Sequence, residues 1–103
     1  MKKVKLKLSK IQMEALIFCV NQSGLFLNSV SDLQLLALKE LYTKLFIKLQ
    51  VRMLNLKLKN NSLKLSLTEC WAIDSMRSWG FTGFELSTLK AICREIDKQI
   101  ISL

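Results

Sequence analysis

The sequence contains no proline and no histidine, and glycine occurs only three times in 103 residues. Without histidine, the chain lacks the side chain that most often serves as a general base or as a metal ligand near neutral pH. Half of the residues are hydrophobic, which excludes a disordered chain and predicts one folded domain over residues 1–103.

Cysteine is also scarce, and the three that occur are spread widely as Cys19, Cys70 and Cys93. Their number is odd, no two form a Cys-x-x-Cys pair, and no histidine accompanies them, so neither a disulfide framework nor a zinc site is predicted. Apolar residues surround each of them, and a free cysteine in such surroundings behaves as a small hydrophobic residue. We expect three buried thiols and no metal or other cofactor.

Long hydrophobic runs are absent as well. Residues 1–10 carry positive charge, as a signal peptide does at its start, but Gln12 and Glu14 interrupt the apolar segment that should follow. The longest uninterrupted apolar run, Ala15–Val20, is far shorter than the ~20 residues that span a bilayer. The sequence predicts a cytoplasmic protein with no membrane partner.

The clearest pattern that is present is a repeat, because residues 6–12 recur as residues 63–69. Both copies alternate apolar and polar residues, as a half-buried strand does, and both then reach a serine, Ser9 or Ser66. Gln or Glu follows each serine three positions later, which is the capping-box pattern that starts a helix. Each copy is therefore predicted to be a strand followed by a helix.

A second helix is predicted in each copy, because apolar residues recur there at spacings of three and four. Gly24 and Gly80 follow the two capping serines by fifteen and fourteen residues, and each is predicted to end a first helix in the left-handed conformation. The predicted boundaries are strands near 3–8 and 62–67 and helices near 10–23, 31–53, 67–79 and 84–101.

These elements predict an α+β fold of two strand–helix–helix (βαα) repeats, approximately residues 1–55 and 60–103. Pairing the two strands about a pseudo-twofold axis packs the leucine side of the sheet on four helices and leaves the lysine side in solvent. Residues 54–59 also alternate before two asparagines, so a hairpin with a third strand is an alternative to a helix that ends in a loop.

Catalytic motifs are absent from the sequence. It has no glycine-rich phosphate loop, metal-ligand cluster or nucleophile elbow, and a cysteine nucleophile would lack its usual histidine base. The eight acidic residues are scattered along the chain. We expect a protein that is not an enzyme and that has no small-molecule substrate.

The net charge of +8 is uneven along the chain. Residues 1–64 hold twelve Lys or Arg and three Asp or Glu, whereas residues 65–103 hold four and five. Lysines that alternate on the predicted strands can follow a phosphate backbone, and the simpler alternative is a solvated face that discourages aggregation of the strand edges. No aromatic residue lies there to stack on bases. The candidate phosphate-binding residues are Lys3, Lys5, Lys7, Lys57, Lys59 and Lys64.

Aromatic residues gather between residues 77 and 84. Trp, Phe and Arg are enriched at protein–protein hot spots, and the alternative is that these rings close the core between two helices. Ile47 falls on the polar side of the second helix and is a further possible contact. The candidate partner-binding residues are Arg77, Trp79, Phe81, Phe84 and Ile47.

The first helix is apolar on two sides, with Ile11, Ala15 and Phe18 on one of them, and such a helix belongs in a core or at an interface. A domain this small cannot bury all of its apolar residues. We expect a non-enzymatic protein-interaction module with an accessory or regulatory role, homodimeric and of bacterial or phage type. The alternative is a nucleic-acid-binding accessory protein, without sequence specificity, that uses the lysine face.

Overall fold

A computed structural model describes residues 3–27 and 31–101. Within these ranges the order of elements is strand, helix, helix, strand, helix, helix. A two-stranded antiparallel sheet with four helices confirms the α+β class. The elements are β1 (Val4–Leu8), α1 (Lys10–Phe26), α2 (Leu33–Met53), β2 (Asn61–Leu65), α3 (Leu67–Ser75), a 3₁₀ turn (Met76–Trp79) and α4 (Gly83–Ile101).

The sheet has one buried and one exposed face, because successive side chains of a strand point to opposite sides. In both strands the first, third and fifth residues are buried and the other two are exposed. The buried face packs on the helices, as predicted, and the lysine face lies in solvent. The ladder pairs Val4 with Leu65, Lys5 with Lys64, Leu6 with Leu63, Lys7 with Ser62, and Leu8 with Asn61.

Both first helices begin at the predicted capping boxes. The Ser9 hydroxyl oxygen accepts from the Gln12 N–H at 3.2 Å, and the Ser9 N–H donates to the Gln12 side chain at 2.9 Å. Ser66 and Glu69 make the same two bonds at 3.2 and 2.8 Å. A cap of this kind contributes about 0.5–2 kcal/mol to stability, so each serine fixes where its helix begins.

The predicted left-handed ends are right at one glycine and wrong at the other. Gly80 has φ 83° and ends the 3₁₀ turn that follows α3. Gly24 lies inside α1, which continues to Phe26, and the Leu27 N–H then donates to the Gly24 carbonyl at 3.2 Å. Leu27 is buried, so the extra turn brings an apolar side chain into the core that an end at residue 24 would leave outside.

The third strand considered for residues 54–59 does not form, and the favoured two-stranded sheet is confirmed. The buried Asn61 side chain accepts from the Lys57 N–H and donates to the Lys57 carbonyl, both at 2.7 Å. It also donates to the Leu8 carbonyl at 3.1 Å. The Asn61 side chain therefore occupies the Lys57 N–H and carbonyl, which a third strand would need for pairing, and the segment is a loop.

The core lies between the sheet and the four helices, and the three cysteines are buried and free, as predicted. Burial raises the pKa of the Cys19 thiol to about 12 and that of Cys93 to about 11. Thiols with such high pKa values are protonated and unreactive near neutral pH. None of the described helices combines the length and apolar content that a membrane span needs.

Candidate interaction surface

One side of α1 is apolar and faces solvent. Ile11, Phe18 and Leu25 follow one another at seven-residue intervals, and their side chains are 63%, 47% and 52% exposed. Residues seven apart lie on one face of a helix, since seven residues make almost two turns. We call these three residues the α1 stripe. The opposite side of the helix is the one that enters the core, through Met13, Leu16, Cys19, Val20 and Ser23.

The α1 helix also carries little charge. Lys10 and Glu14 are the only ionisable acidic or basic residues among its seventeen, and both lie in its first half. Charged residues are depleted from the centres of protein interfaces, because burying them costs solvation free energy. An exposed helix face with three large apolar residues and so few charges has the composition of an interface.

Phe18 of the α1 stripe is also one of four neighbouring aromatic rings, and we call Phe18, Phe26, Trp79 and Phe81 the ring cluster. Phe81 stands edge-on to Phe18 at a centroid distance of 6.5 Å, and Phe26 lies 6.3 Å from Phe81 and 5.8 Å from Trp79. Phe18 and Phe26 come from α1, whereas the other two rings come from the connection before α4. The cluster widens the apolar surface at the end of α1.

The ring cluster is fastened to α2 through Trp79. Its indole N–H donates to the Tyr42 hydroxyl at 3.1 Å, and Tyr42 is buried. Burial raises the pKa of Tyr42, so its hydroxyl stays protonated and in place at physiological pH. Trp79 therefore packs against the core, which was the alternative considered for these rings. Phe18 and Phe26 are exposed and form the outer surface of the ring cluster.

The structure brings together only two of the five predicted partner-binding residues, Trp79 and Phe81. Arg77 forms an ion pair with Asp74 on α3. Phe84 is half-exposed in the first turn of α4, and Ile47 is exposed on α2. The sequence prediction missed Leu25 and Phe26 because it ended the helix at residue 23, three residues before α1 ends.

The lysine face gathers four of the six predicted phosphate-binding residues. Lys3, Lys5, Lys7 and Lys64 are all exposed, and Lys5 stands opposite Lys64 in the ladder. The remaining two, Lys57 and Lys59, are exposed in the loop before β2 and belong to no strand. The positive charge of the outer sheet face therefore comes from four side chains.

The outer edge of β2 is closed by two long basic side chains from α2. The Lys48 ammonium donates to the Lys64 carbonyl at 2.5 Å, and the Arg52 Nε–H donates to the Ser62 carbonyl at 3.0 Å. Lys48 also pairs with the Glu69 carboxylate at 3.0 and 3.2 Å. Burial alone would raise the pKa of Glu69, but hydrogen bonds from Ser66 and Lys48 outweigh it and lower that pKa.

In the part of the chain that the structure describes, no three His, Cys, Asp or Glu side chains come together as a metal site. No protein-family model matches the sequence, and no curated protein or solved structure matches it either. The features that bear on function are surfaces of the chain itself, chiefly the α1 stripe, the ring cluster and the sheet.

Proposed function

We propose that the chain is a non-enzymatic protein-interaction module that forms a homodimer through α1. The α1 stripe carries this proposal, because it is a large apolar surface that the fold leaves uncovered.

The spacing of the α1 stripe suits a second copy of the same helix. Phe18 lies midway between Ile11 and Leu25, so an antiparallel pair of α1 helices places Phe18 against Phe18 and Ile11 against Leu25. Such a pairing is isologous, because each copy offers the same patch and a twofold axis passes between the two Phe18 residues. The ring cluster would add Phe26 and Phe81 to both ends of the contact.

We also propose that the fold arose by duplication of one βαα unit. An offset of 57 residues relates Ser9 to Ser66, and both have nearly the same backbone angles, φ −72° and ψ 166° against φ −73° and ψ 166°. The same offset relates Leu6 to Leu63, and these two form the central pair of the ladder. A twofold axis through that pair would map β1 on β2, which supports the pseudo-twofold arrangement.

The free thiols favour a reducing compartment for this module. All three cysteines are unpaired and buried, and disulfides are rare in the cytosol because thiols are kept reduced there. We therefore propose a cytoplasmic accessory protein.

Replacing Phe18 with glutamate should abolish the homodimer, because two buried carboxylates would meet at the twofold axis. We expect sedimentation velocity to show the wild-type chain as a dimer at micromolar concentrations. The dissociation constant of the Phe18→Glu dimer should be at least about 30-fold higher than that of the wild-type dimer, because a central hot-spot residue contributes about 2 kcal/mol or more to binding.

The matched control is Ile47→Glu, which introduces the same charge at an exposed apolar position on α2. This variant should dimerise as the wild type does, and circular dichroism should show both variants folded. A wild-type chain that stays monomeric at high micromolar concentration would contradict the proposal. Equal loss in both variants would contradict the assignment of the interface to α1.

A second candidate function, nucleic-acid binding, is favoured by the four lysines on one face of the sheet. Four phosphate contacts would make log K fall with log salt at a slope of about −3.6 on duplex DNA. Replacing Lys5 and Lys7 with glutamine should then halve that slope and leave the fold intact, since both side chains are exposed. Fluorescence anisotropy with a labelled duplex at low and moderate salt measures the slope, and no binding at low salt would exclude this function.

A further inference from the structure

The two edges of the sheet differ in how their outward-facing backbone groups are satisfied. In an antiparallel pair, alternate residues turn their N–H and C=O groups away from the partner strand. On β2 the outward carbonyls of Ser62 and Lys64 are both bound by side chains of α2. On β1 the corresponding outward residues are Lys5 and Lys7.

The backbone of Lys5 is bound as a neighbouring strand would bind it. Its N–H donates to the Gln99 side-chain oxygen at 3.0 Å, and its carbonyl accepts from the Gln99 amide nitrogen at 2.7 Å. Gln99 in turn donates to Glu95 at 3.0 Å, which holds the amide in this position. One side chain of α4 thus supplies the first pair of hydrogen bonds of a third strand.

The backbone of Lys7 has no such cover. No hydrogen bond from residues 3–27 or 31–101 reaches its N–H or carbonyl on that side. A groove of about 410 Å³ lies there, bounded on one side by β1 and on the other by α4. Leu6 and Leu8 line it from the strand, and Ala91 and Ile92 line it from the helix. An open strand edge beside a partly apolar groove is the geometry that adds a strand from another chain.

We propose that β1 binds an extended segment of a partner protein as a third, antiparallel strand, in which acidic and apolar residues alternate. A residue directly opposite Lys7 would exchange both backbone hydrogen bonds with it, and its side chain would lie on the lysine face. An acidic residue at that position is attracted by Lys7 directly opposite it and by Lys5 on the same face of the same strand, and both are exposed. Its apolar neighbours would point to the other side, into the groove.

A second copy of the chain does not fit this edge. If β1 paired with another β1, lysines of one copy would stand opposite lysines of the other, and like charges directly opposite destabilise a sheet. The site therefore differs from the α1 stripe in its position and in its partner. The proposal of a third strand at β1 can thus be tested independently of the proposed homodimer. Glu95 on the groove wall restricts acidic side chains to the outer face.

The probe is a six-residue blocked peptide in which glutamate and valine alternate. Titrated into the ¹⁵N-labelled chain, it should bind saturably, shift the Lys7 amide resonance and slow the hydrogen exchange of that amide. A second peptide, N-methylated at the glutamates, keeps the charge but loses the donors that face β1, so it should bind about tenfold more weakly or worse. A third, with lysine in place of glutamate, should not bind.

Two matched variants test the edge from the protein side. Lys7→Pro removes the outward N–H without touching the ladder, because proline is tolerated where a strand N–H faces away from its partner. It should reduce binding about tenfold or more. Lys64→Pro makes the same change in charge and backbone on β2, whose edge is already closed, and should bind the peptide as the wild type does.

Several results would overturn the proposal. They are the absence of binding at millimolar peptide, equal binding of the N-methylated peptide, or protection of amides elsewhere while Lys7 exchanges freely. Repeating the titration with the Phe18→Glu variant separates the two proposals, since a monomeric chain should bind the peptide as well as the wild type does.

Discussion

Replacing Leu6 with alanine should lower the free energy of unfolding by about 2–5 kcal/mol, and replacing Leu63 should lower it by a similar amount. The two residues form the central pair of the ladder, and both are buried. Each truncation removes methyl groups from the core and leaves a cavity that the short strands cannot close. Since small domains are stable by only about 5–15 kcal/mol, either change would be a large loss.

Urea unfolding followed by circular dichroism measures both effects. Lys5→Ala is the matched control, because this residue lies next to Leu6 in the strand but faces solvent, so its loss should stay within about 0.5 kcal/mol. If the two substitutions lower the free energy of unfolding by similar amounts, Leu6 and Leu63 occupy equivalent positions in the two βαα units. A cost below about 1 kcal/mol at Leu63 would contradict the central position of β2 in the core.

Stability should fall steeply in alkaline solution because of the buried thiols. The pKa of Cys19 is raised from 9.0 to about 12 and that of Cys93 from 9.0 to about 11, mainly by burial. A raised pKa contributes stability that is fully present below pH 9 and is lost as the pH rises through the folded value. Between pH 9 and pH 11 the two thiols together should remove about 4 kcal/mol from the free energy of unfolding.

The measurement is urea unfolding at pH 8, 9, 10 and 11 with a reductant present. A Cys19→Ala, Cys93→Ala double variant is the comparison, and its free energy of unfolding should depend much less on pH over this range. Any cost of the substitutions themselves appears at pH 8 and is subtracted. A double variant with the same alkaline slope as the wild type would show that groups other than these two thiols cause the loss.

Features set by neighbouring residues were predictable from the sequence. The two capping boxes depend on hydrogen bonds between Ser9 and Gln12 and between Ser66 and Glu69, three residues apart, so the sequence shows them directly. The strands follow from alternation, and their pairing in one sheet follows from their need for a shared helix layer. The predictions that failed depended on contacts between residues far apart in the sequence. The predicted end of the first helix at Gly24 is an example, because α1 continues until Leu27 is buried in the core.

The candidate surfaces were only partly predictable, for a related reason. The α1 helix is apolar around most of its circumference, so its pattern did not indicate which side would face outward. Lys48 on α2 closes the edge of β2 through the Lys64 carbonyl, sixteen positions away on another element, and no local pattern indicates this contact. The role of Gln99 at β1 depends on a contact between residues 94 positions apart, which no local pattern reveals.

The homodimer is tested most directly by an NMR contact that cannot arise within one copy. Ile11 and Leu25 lie fourteen residues apart on α1, which corresponds to about 21 Å along the helix axis, beyond the range of a nuclear Overhauser effect. In an isotope-filtered experiment on mixed labelled and unlabelled chains, we expect contacts between Ile11 methyls of one copy and Leu25 methyls of the other. If the sample is a dimer and these contacts are absent while others link the copies, α1 is not the interface; a monomer would contradict the proposed homodimer itself.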